Sequence, residues 1–106
     1  MTEAKARLLV YGRSNGVCER CDRARGQEWQ HRKNRSQGGL WTPENGLHLC
    51  SPCHRYVTVN PAESKIHGWT VPRDEEPLAV SVSLARFARR MFLTPDGDYS
   101  EELVCA

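Results

Sequence analysis

Two Cys-x-x-Cys pairs, Cys18/Cys21 and Cys50/Cys53, constrain this chain more than any other feature of its sequence. Each two-residue spacing places both thiols of a pair on one turn, and two such pairs supply the four ligands of a tetrahedral zinc site. A site closed by four thiolates keeps no open position for a substrate, so we expect a structural zinc ion. The ion would bring the two ends of the intervening segment together and fix whatever lies between them.

The length and composition predict a single small soluble domain. A chain of 106 residues buries a limited core, and a metal is a common way to stabilise a domain of this size. Its mean hydropathy is -0.65, and no apolar run approaches the roughly 18 residues that a membrane span needs. The charged segment 1–7 is not followed by the apolar region of a secretion signal. We therefore expect a cytoplasmic protein, in a reducing compartment where paired cysteines more often hold metal than form disulfides.

The charge is unevenly distributed along the chain. Residues 1–59 contain ten Lys/Arg and five Asp/Glu, a balance of +5, whereas residues 60–106 contain five and eight, a balance of -3. The basic half is the one that contains the cysteine pairs. This asymmetry favours a polyanionic partner, although surface lysines and arginines often do no more than interact with solvent.

The first half of the chain predicts a helix, two short strands and a second helix. Residues 3–11 are good helix formers, and glycines end that segment from Gly12 onwards. Residues 28–31 and 47–49 are strand-like and are separated by an extended loop over 33–45, which is rich in residues that break regular structure. Ser51 is the predicted N-cap of the second helix, with Pro52 at its first helical position and an end near Val59.

The second half gives weaker signals. Residues 62–70 predict one more helical turn, and the alternation of apolar residues from Leu78 to Leu84 predicts a strand. For residues 84–93 the pattern fits either a strand or a helix, and both alternatives stay open. Thr94-Pro95-Asp96-Gly97 predicts a turn. Cys105 has no predicted partner, and we treat it as incidental.

The two cysteine pairs enclose or adjoin the ordered set His31, Asn45 and His54. These residues lie within the segments Glu28-Trp29-Gln30-His31-Arg32-Lys33, Arg35-Ser36-Gln37-Gly38-Gly39, Asn45-Gly46-Leu47-His48-Leu49-Cys50 and Ser51-Pro52-Cys53-His54-Arg55. From about Gly16 to Arg55, the chain thereby resembles the HNH endonuclease family, whose core is the ββα-metal fold. Through Gly68-Trp69-Thr70-Val71, followed by Pro77 and Asp96-Gly97, the chain is more loosely similar to the small HNH proteins of actinobacteriophages.

The expected fold class is therefore a small α+β domain. It comprises an N-terminal helix and an HNH ββα-metal core stapled by a four-cysteine zinc site, together spanning residues 1–60. Residues 61–106 form a C-terminal extension packed on the same domain. A monomer is favoured.

Phosphodiester hydrolysis needs an activated water, a cation on the phosphate oxygens and rigid placement of both. His31 is the expected general base, because the pKa of histidine lies near neutral pH, and the resemblance implies the same role. Asn45 would tie the loop backbone to the first strand and so orient His31. His54 would be a ligand of a catalytic divalent cation, Mg²⁺, Mn²⁺ or Ni²⁺.

Gln30 is the chief departure from the family, which usually has a histidine or an aspartate just before the base. An amide oxygen can ligate Mg²⁺ but carries no charge, so we expect Gln30 to hold the cation weakly. Thr58 is a poor substitute for the missing ligand. His48 lies between two leucines that alternate on a strand, and we expect it to point away from the site.

The function expected from the resemblance is a metal-dependent DNA endonuclease or nickase with little sequence specificity. The resemblance implies either phage DNA packaging beside a terminase, in the host cytoplasm, or free-standing homing or restriction activity. The alternative is a zinc-knuckle module that binds nucleic acid or protein and has lost cleavage through Gln30. A thiol redox protein fits poorly, because the two pairs are distant in sequence. The candidate phosphate contacts are Arg32, Lys33, Arg35 and Arg55.

Overall fold

The computed structural model describes residues 1–103, so Cys105 lies outside the described part of the chain. Helix α1 spans Glu3–Ser14 and is capped by Thr2, whose side chain accepts a hydrogen bond from the Lys5 backbone N–H. The helix ends at Asn15, which adopts a left-handed conformation with φ of 56°. It therefore continues through Gly12 instead of ending there, because a single glycine weakens a helix but does not break it.

Strands β1 (Glu28–His31) and β2 (Gly46–Leu49) form an antiparallel pair, close to their predicted bounds. Gln30 stands opposite Leu47, so these two side chains share one face of the hairpin. His31 stands opposite Gly46 on the other face. Leu47 and Leu49 are fully buried, so the predicted alternation along β2 is confirmed.

Helix α2 spans Ser51–Val59, immediately after β2. Its N-cap is Cys50, so the prediction that Ser51 caps the helix was wrong by one residue. Cys50 occupies the N-cap position because the chain turns from the strand into the helix at that residue. Helix α3 spans Pro61–Ile66, so the helical turn predicted within residues 62–70 is present and begins one residue earlier.

The loop between β1 and β2 contains two short 3-10 helices, Arg35–Gln37 and Pro43–Asn45. Its conformation is therefore more regular than the extended loop predicted from its glycines and prolines. No larger residue fits at position 39, because a Cβ on Gly39 would lie 1.8 Å from the Lys33 carbonyl oxygen. The loop is folded back tightly onto the end of β1.

The second half forms an antiparallel three-stranded sheet in the order β3 (Val82–Leu84), β4 (Arg89–Leu93), β5 (Tyr99–Ser100). The strand predicted from Leu78 begins only at Val82, since residues 77–79 form a 3-10 helix. Residues 84–93 contain a turn followed by β4, which decides the open choice in favour of a strand. The predicted turn at residues 94–97 is present, with the Gly97 N–H donating to the Thr94 carbonyl.

One buried cluster joins the two halves of the chain. It contains residues of the hairpin, α2, both cysteine pairs and the second sheet: Cys18, Leu47, Leu49, Cys50, Cys53, Val57, Trp69, Val82, Leu84, Met91 and Leu93. The fold is thus a small α+β arrangement with helices and two antiparallel sheets. Within residues 1–103, none of the helices has the length and apolar character required to cross a bilayer.

Candidate metal centre and adjoining cavity

The four paired cysteines converge on one point of the structure. The Sγ atoms of Cys18, Cys21, Cys50 and Cys53 all lie within 4.8 Å of one another. Tetrahedral zinc with Zn–S bonds of about 2.3 Å needs thiolates about 3.8 Å apart, so small adjustments would close the shell. Asp22, directly after the first pair, adopts a left-handed conformation with φ of 57°. The four cysteines are positioned to hold a metal ion and are compatible with structural zinc.

The titration of these thiols also fits a cation at their centre. Burial raises the pKa of Cys53 to about 12 and also raises the pKa of Cys18. Burial opposes ionisation of Cys21 as well, but hydrogen bonds from backbone groups and neighbouring thiols outweigh it and lower the pKa to about 7. Burial thus favours the protonated thiols of Cys18 and Cys53, and a bound metal would favour their thiolates.

Arg20 packs beside the cysteine cluster. Its Nη1 atom donates to Cys53 Sγ at 3.3 Å, and its guanidinium lies 4.0 Å from the Tyr56 ring centroid and 4.4 Å from that of Trp69. A charged donor to a sulfur offsets part of the negative charge that four thiolates bring to zinc. No local pattern predicted this contact, because Arg20 lies inside the first Cys-x-x-Cys turn and Cys53 stands 33 positions further along the chain.

An open cavity of about 480 Å³ lies next to the hairpin and α2. Both predicted cation ligands, Gln30 from β1 and His54 from the first turn of α2, line it. The other lining residues are Arg32, Asn34, Gln37, Val57, Thr58, Pro61, Lys65, Thr70, Val71 and Pro72. The structure thus brings together two residues that stand 24 positions apart in the sequence.

His54 is oriented by a residue that the sequence analysis missed. Its Nδ1 atom lies 2.6 Å from Glu28 Oε1, and a carboxylate in that position accepts the Nδ1 proton. The free nitrogen is then Nε2, which is the arrangement found when a carboxylate orients a metal-binding histidine. The strand alternation contained a signal for this pairing, because Glu28 and Gln30 must share a face of β1.

Gln30 is buried, with 8% of its surface exposed. Its side-chain Nε2 donates to the His31 carbonyl at 3.0 Å. This hydrogen bond fixes the amide and leaves its oxygen free to accept or to ligate.

His31 lies on the opposite face of β1 and does not line this cavity. Its Nδ1 atom accepts a hydrogen bond from Trp29 Nε1 at 3.1 Å, and the Trp41 ring packs edge-on against it at 4.4 Å between centroids. Its Nε2 atom is buried and has no hydrogen-bond partner within residues 1–103. Burial, with Arg35 and Arg7 nearby, lowers the pKa of His31, so the ring is neutral at neutral pH.

Asn45 is buried and makes three hydrogen bonds to the backbone of the loop. Its Oδ1 accepts from the Lys33 N–H at 2.7 Å, while its Nδ2 donates to the carbonyls of Lys33 and Leu40. In addition, the Arg32 N–H donates to the Asn45 carbonyl. These contacts tie the loop to the end of β1, as expected for a residue that orients its neighbours.

Arg32 cannot serve as a phosphate contact, which corrects the sequence-based assignment. Its side chain is 1% exposed, and its guanidinium donates to the carbonyls of Gly68, Glu44, Pro77 and Val80. Burial, with the nearby Arg13, lowers its pKa to about 9, so it remains charged at neutral pH. Arg32 is a structural residue that joins the first half of the chain to the second.

Lys33 is also engaged within the protein. Its Nζ atom donates to the Glu75 carbonyl at 3.0 Å and lies 3.6 Å from Glu76 Oε1, with the lysine side chain 9% exposed. Of the four candidate phosphate contacts, only Arg35 and Arg55 are exposed. The sequence could not separate the two kinds of basic residue, because burial here depends on segments that lie more than 40 positions further along the chain.

Two further side chains, His48 and Thr58, lie as the sequence predicted. His48 points away from the cavity, with its Nδ1 2.9 Å from Ser14 Oγ. The Thr58 hydroxyl donates to the His54 carbonyl at 2.9 Å, as on an ordinary helix surface. Trp29 and Trp41 pack on each other with ring centroids 5.0 Å apart and anchor the loop.

No family model, curated protein or solved structure gives a significant match to this chain. The functional argument therefore depends on the residues and their geometry.

Proposed function

We propose that the protein is a metal-dependent phosphodiesterase that cleaves or nicks DNA, built on an HNH-type ββα-metal core. The β1–β2–α2 segment would be that core, and the cysteine frame would hold a structural zinc ion. His54 and Gln30 would hold an exchangeable divalent cation, and Arg35 and Arg55 would contact the DNA backbone. The family resemblance is also the basis for proposing that the protein acts beside a phage terminase.

One observation carries this proposal: the Glu28–His54 contact of 2.6 Å beside a cavity that also contains Gln30. A histidine whose Nδ1 is held by a carboxylate presents Nε2 in a fixed direction. The amide oxygen of Gln30 adds a neutral second donor. This donor set fits a weakly held cation, which would polarise the phosphodiester and activate water when bound.

His31 is the proposed general base, and its surroundings define what it needs in order to act. The hydrogen bond from Trp29 keeps Nδ1 unprotonated, so the proton of the neutral ring lies on the buried Nε2. To accept a proton from water at Nδ1, the ring must lose the Trp29 bond. Since His31 lies on the face of β1 opposite the cavity, the water it activates must also reach that face.

The test is incubation of supercoiled plasmid with zinc-loaded protein and Mg²⁺, Mn²⁺ or Ni²⁺. We expect nicking by the native chain, and a loss of about 10²-fold or more in His31→Ala and in His54→Ala. Lys5→Ala is the control, since Lys5 is exposed on α1 and does not line the cavity. Nicking that persists in His54→Ala would contradict the assigned cation site.

The second candidate is a zinc-framed module that binds nucleic acid without cleaving it. The burial of His31 Nε2 and the uncharged Gln30 favour this reading. It predicts that the protein slows the migration of plasmid in a mobility-shift assay but does not nick it with any of the three ions. That result would replace the nuclease proposal.

A further inference from the structure

The cavity beside His54 has an unusual charge for a divalent-cation site. Within the described residues 1–103, none of its lining residues is Asp or Glu. Hard cations such as Mg²⁺ prefer carboxylate oxygens, and a site without them binds such ions weakly. The nearby carboxylate of Glu28 is committed to His54 Nδ1. Without an added anion, the lining therefore lacks the negative charge that a divalent cation needs.

Two basic residues, Arg32 and Lys65, give the cavity a positive charge in different ways. Arg32 places a buried charge behind the cavity wall, but carbonyls occupy its guanidinium. Lys65, in the last turn of α3, also lines the cavity and is exposed. In the part of the chain that the structure describes, its ammonium group makes neither a hydrogen bond nor an ion pair, so it is free to bind a ligand.

Neutral hydrogen-bonding groups complete the lining. The side chains of Asn34, Gln37 and Thr70 offer amide and hydroxyl donors, in addition to Gln30 and His54. A tetrahedral anion with several acceptor oxygens uses this combination of one ammonium and several neutral donors. Asn34 and Gln37 come from the loop after β1, so the site combines the hairpin with α3.

We infer that this cavity binds a phosphate group through its own side chains, with Lys65 as the main charged contact, in the absence of any divalent cation. The inference deepens the proposed function and rests on it only for the source of the phosphate, a DNA backbone. The phosphate oxygens then supply the negative charge that Gln30 and the rest of the lining lack. Phosphate and divalent cation therefore increase each other's affinity by the same factor.

The experiment is a titration of zinc-loaded, ¹⁵N-labelled protein with inorganic phosphate, with no other divalent cation, followed by amide chemical shifts. We expect saturable shifts at residues 30–37, 65 and 70, with affinity about tenfold weaker in Lys65→Met and largely kept in Lys65→Arg. Lys5→Met is the matched control, because Lys5 is exposed on α1 and does not line the cavity. An absence of shifts at the cavity, or equal loss in Lys5→Met and Lys65→Met, overturns the inference.

Two further arms separate this inference from the proposed function. The dinucleotide dTpdT, which carries only a phosphodiester, should shift the same amides; binding of inorganic phosphate alone would overturn the DNA backbone as the source. Mn²⁺ titrations with and without phosphate should show tighter Mn²⁺ binding with it, and equal affinities would overturn the coupling. Because no arm measures cleavage, phosphate binding by a protein that nicks no plasmid would refute the nuclease and leave the anion site standing.

Discussion

At the scale of single residues, Arg32 shows how one side chain can join distant parts of a small domain. Its guanidinium donates to four carbonyls, from the β1–β2 loop, the segment after α3 and the segment before β3. Each carbonyl would be left without this partner if the guanidinium were removed, and a buried unsatisfied group costs about 1–3 kcal/mol. The wall of the cavity therefore depends on Arg32 even though the residue touches no ligand.

We predict that Arg32→Met lowers the free energy of unfolding by more than about 3 kcal/mol, measured by urea denaturation of zinc-loaded protein. Arg35→Met, at an exposed position, should change it by less than about 0.5 kcal/mol. Equal effects of the two substitutions would show that Arg32 is not the buried connector described above.

Gly46 shows that the reason for a residue can lie in a contact that the local sequence does not reveal. An Asn-Gly pair is typical of a turn, but Gly46 adopts an extended conformation at the start of β2. A Cβ on Gly46 would lie 2.1 Å from the Trp29 ring, so only glycine leaves room for the indole at this position. The position of Gly46 opposite His31 follows from strand register, which the local sequence does not encode.

At the scale of elements, a buried polar cluster connects α1, the first cysteine turn, the hairpin and β5. The Glu19 carboxylate accepts hydrogen bonds from Arg13, from the His48 backbone N–H and, at 2.6 Å, from the Tyr99 hydroxyl. Arg13 in turn donates to the carbonyls of Pro43 and Gly46. The last strand is therefore fixed to the zinc frame by hydrogen bonds as well as by apolar packing.

The Tyr99 hydroxyl gives a pH-dependent test of this connection. Tyr99→Phe should lower the free energy of unfolding by about 1–2 kcal/mol at pH 7. Burial and the Glu19 carboxylate raise the pKa of Tyr99, so it stays protonated in the folded state while the unfolded chain ionises above about pH 10. The difference between wild type and Tyr99→Phe should therefore shrink as pH rises past 10, in urea titrations at each pH. Tyr11→Phe, at an exposed tyrosine, is the control; a difference independent of pH would refute the contact.

The sequence anticipated the elements with strong local signals and missed those that depend on distant contacts. The hairpin, α2 and the cysteine cluster were predicted because strand alternation, a proline near a helix start and the cysteine spacing are local features. The strand over residues 89–93 was ambiguous, because its apolar residues also fit a helical period until β3 and β5 pair with it. The burial of Arg32 and Lys33 and the Glu28–His54 contact depend on tertiary packing, so no local pattern predicted them.

At the scale of the whole molecule, the four paired cysteines have two structural roles. A metal ion on them would stabilise a chain whose small core gives limited stability, and it would hold the turn before β1 against the start of α2. Because His54 follows Cys53 directly, a zinc ion on the cysteines would also fix the start of the cavity wall.

Removal of zinc should therefore unfold the protein. A chelator strong enough to strip the ion should abolish the cooperative thermal transition, and added Zn²⁺ should restore it, because metal binding supplies folding free energy. Circular dichroism during heating, with zinc content measured in the same samples, provides the check. A melting temperature unaffected by zinc loss would show that the cysteines have no structural role.

The proposed nuclease activity depends on His54 and Gln30 holding a catalytic cation in a cavity without carboxylates. The most direct measurement is the rate of plasmid nicking as a function of Mn²⁺ concentration in wild type, Gln30→His, Gln30→Asp and His54→Ala. A stronger ligand at position 30 should shift the curve to lower Mn²⁺ concentration, by about tenfold or more, and His54→Ala should abolish nicking. Curves that superimpose for wild type and both position-30 variants would place Gln30 outside the reach of the cation and contradict the account.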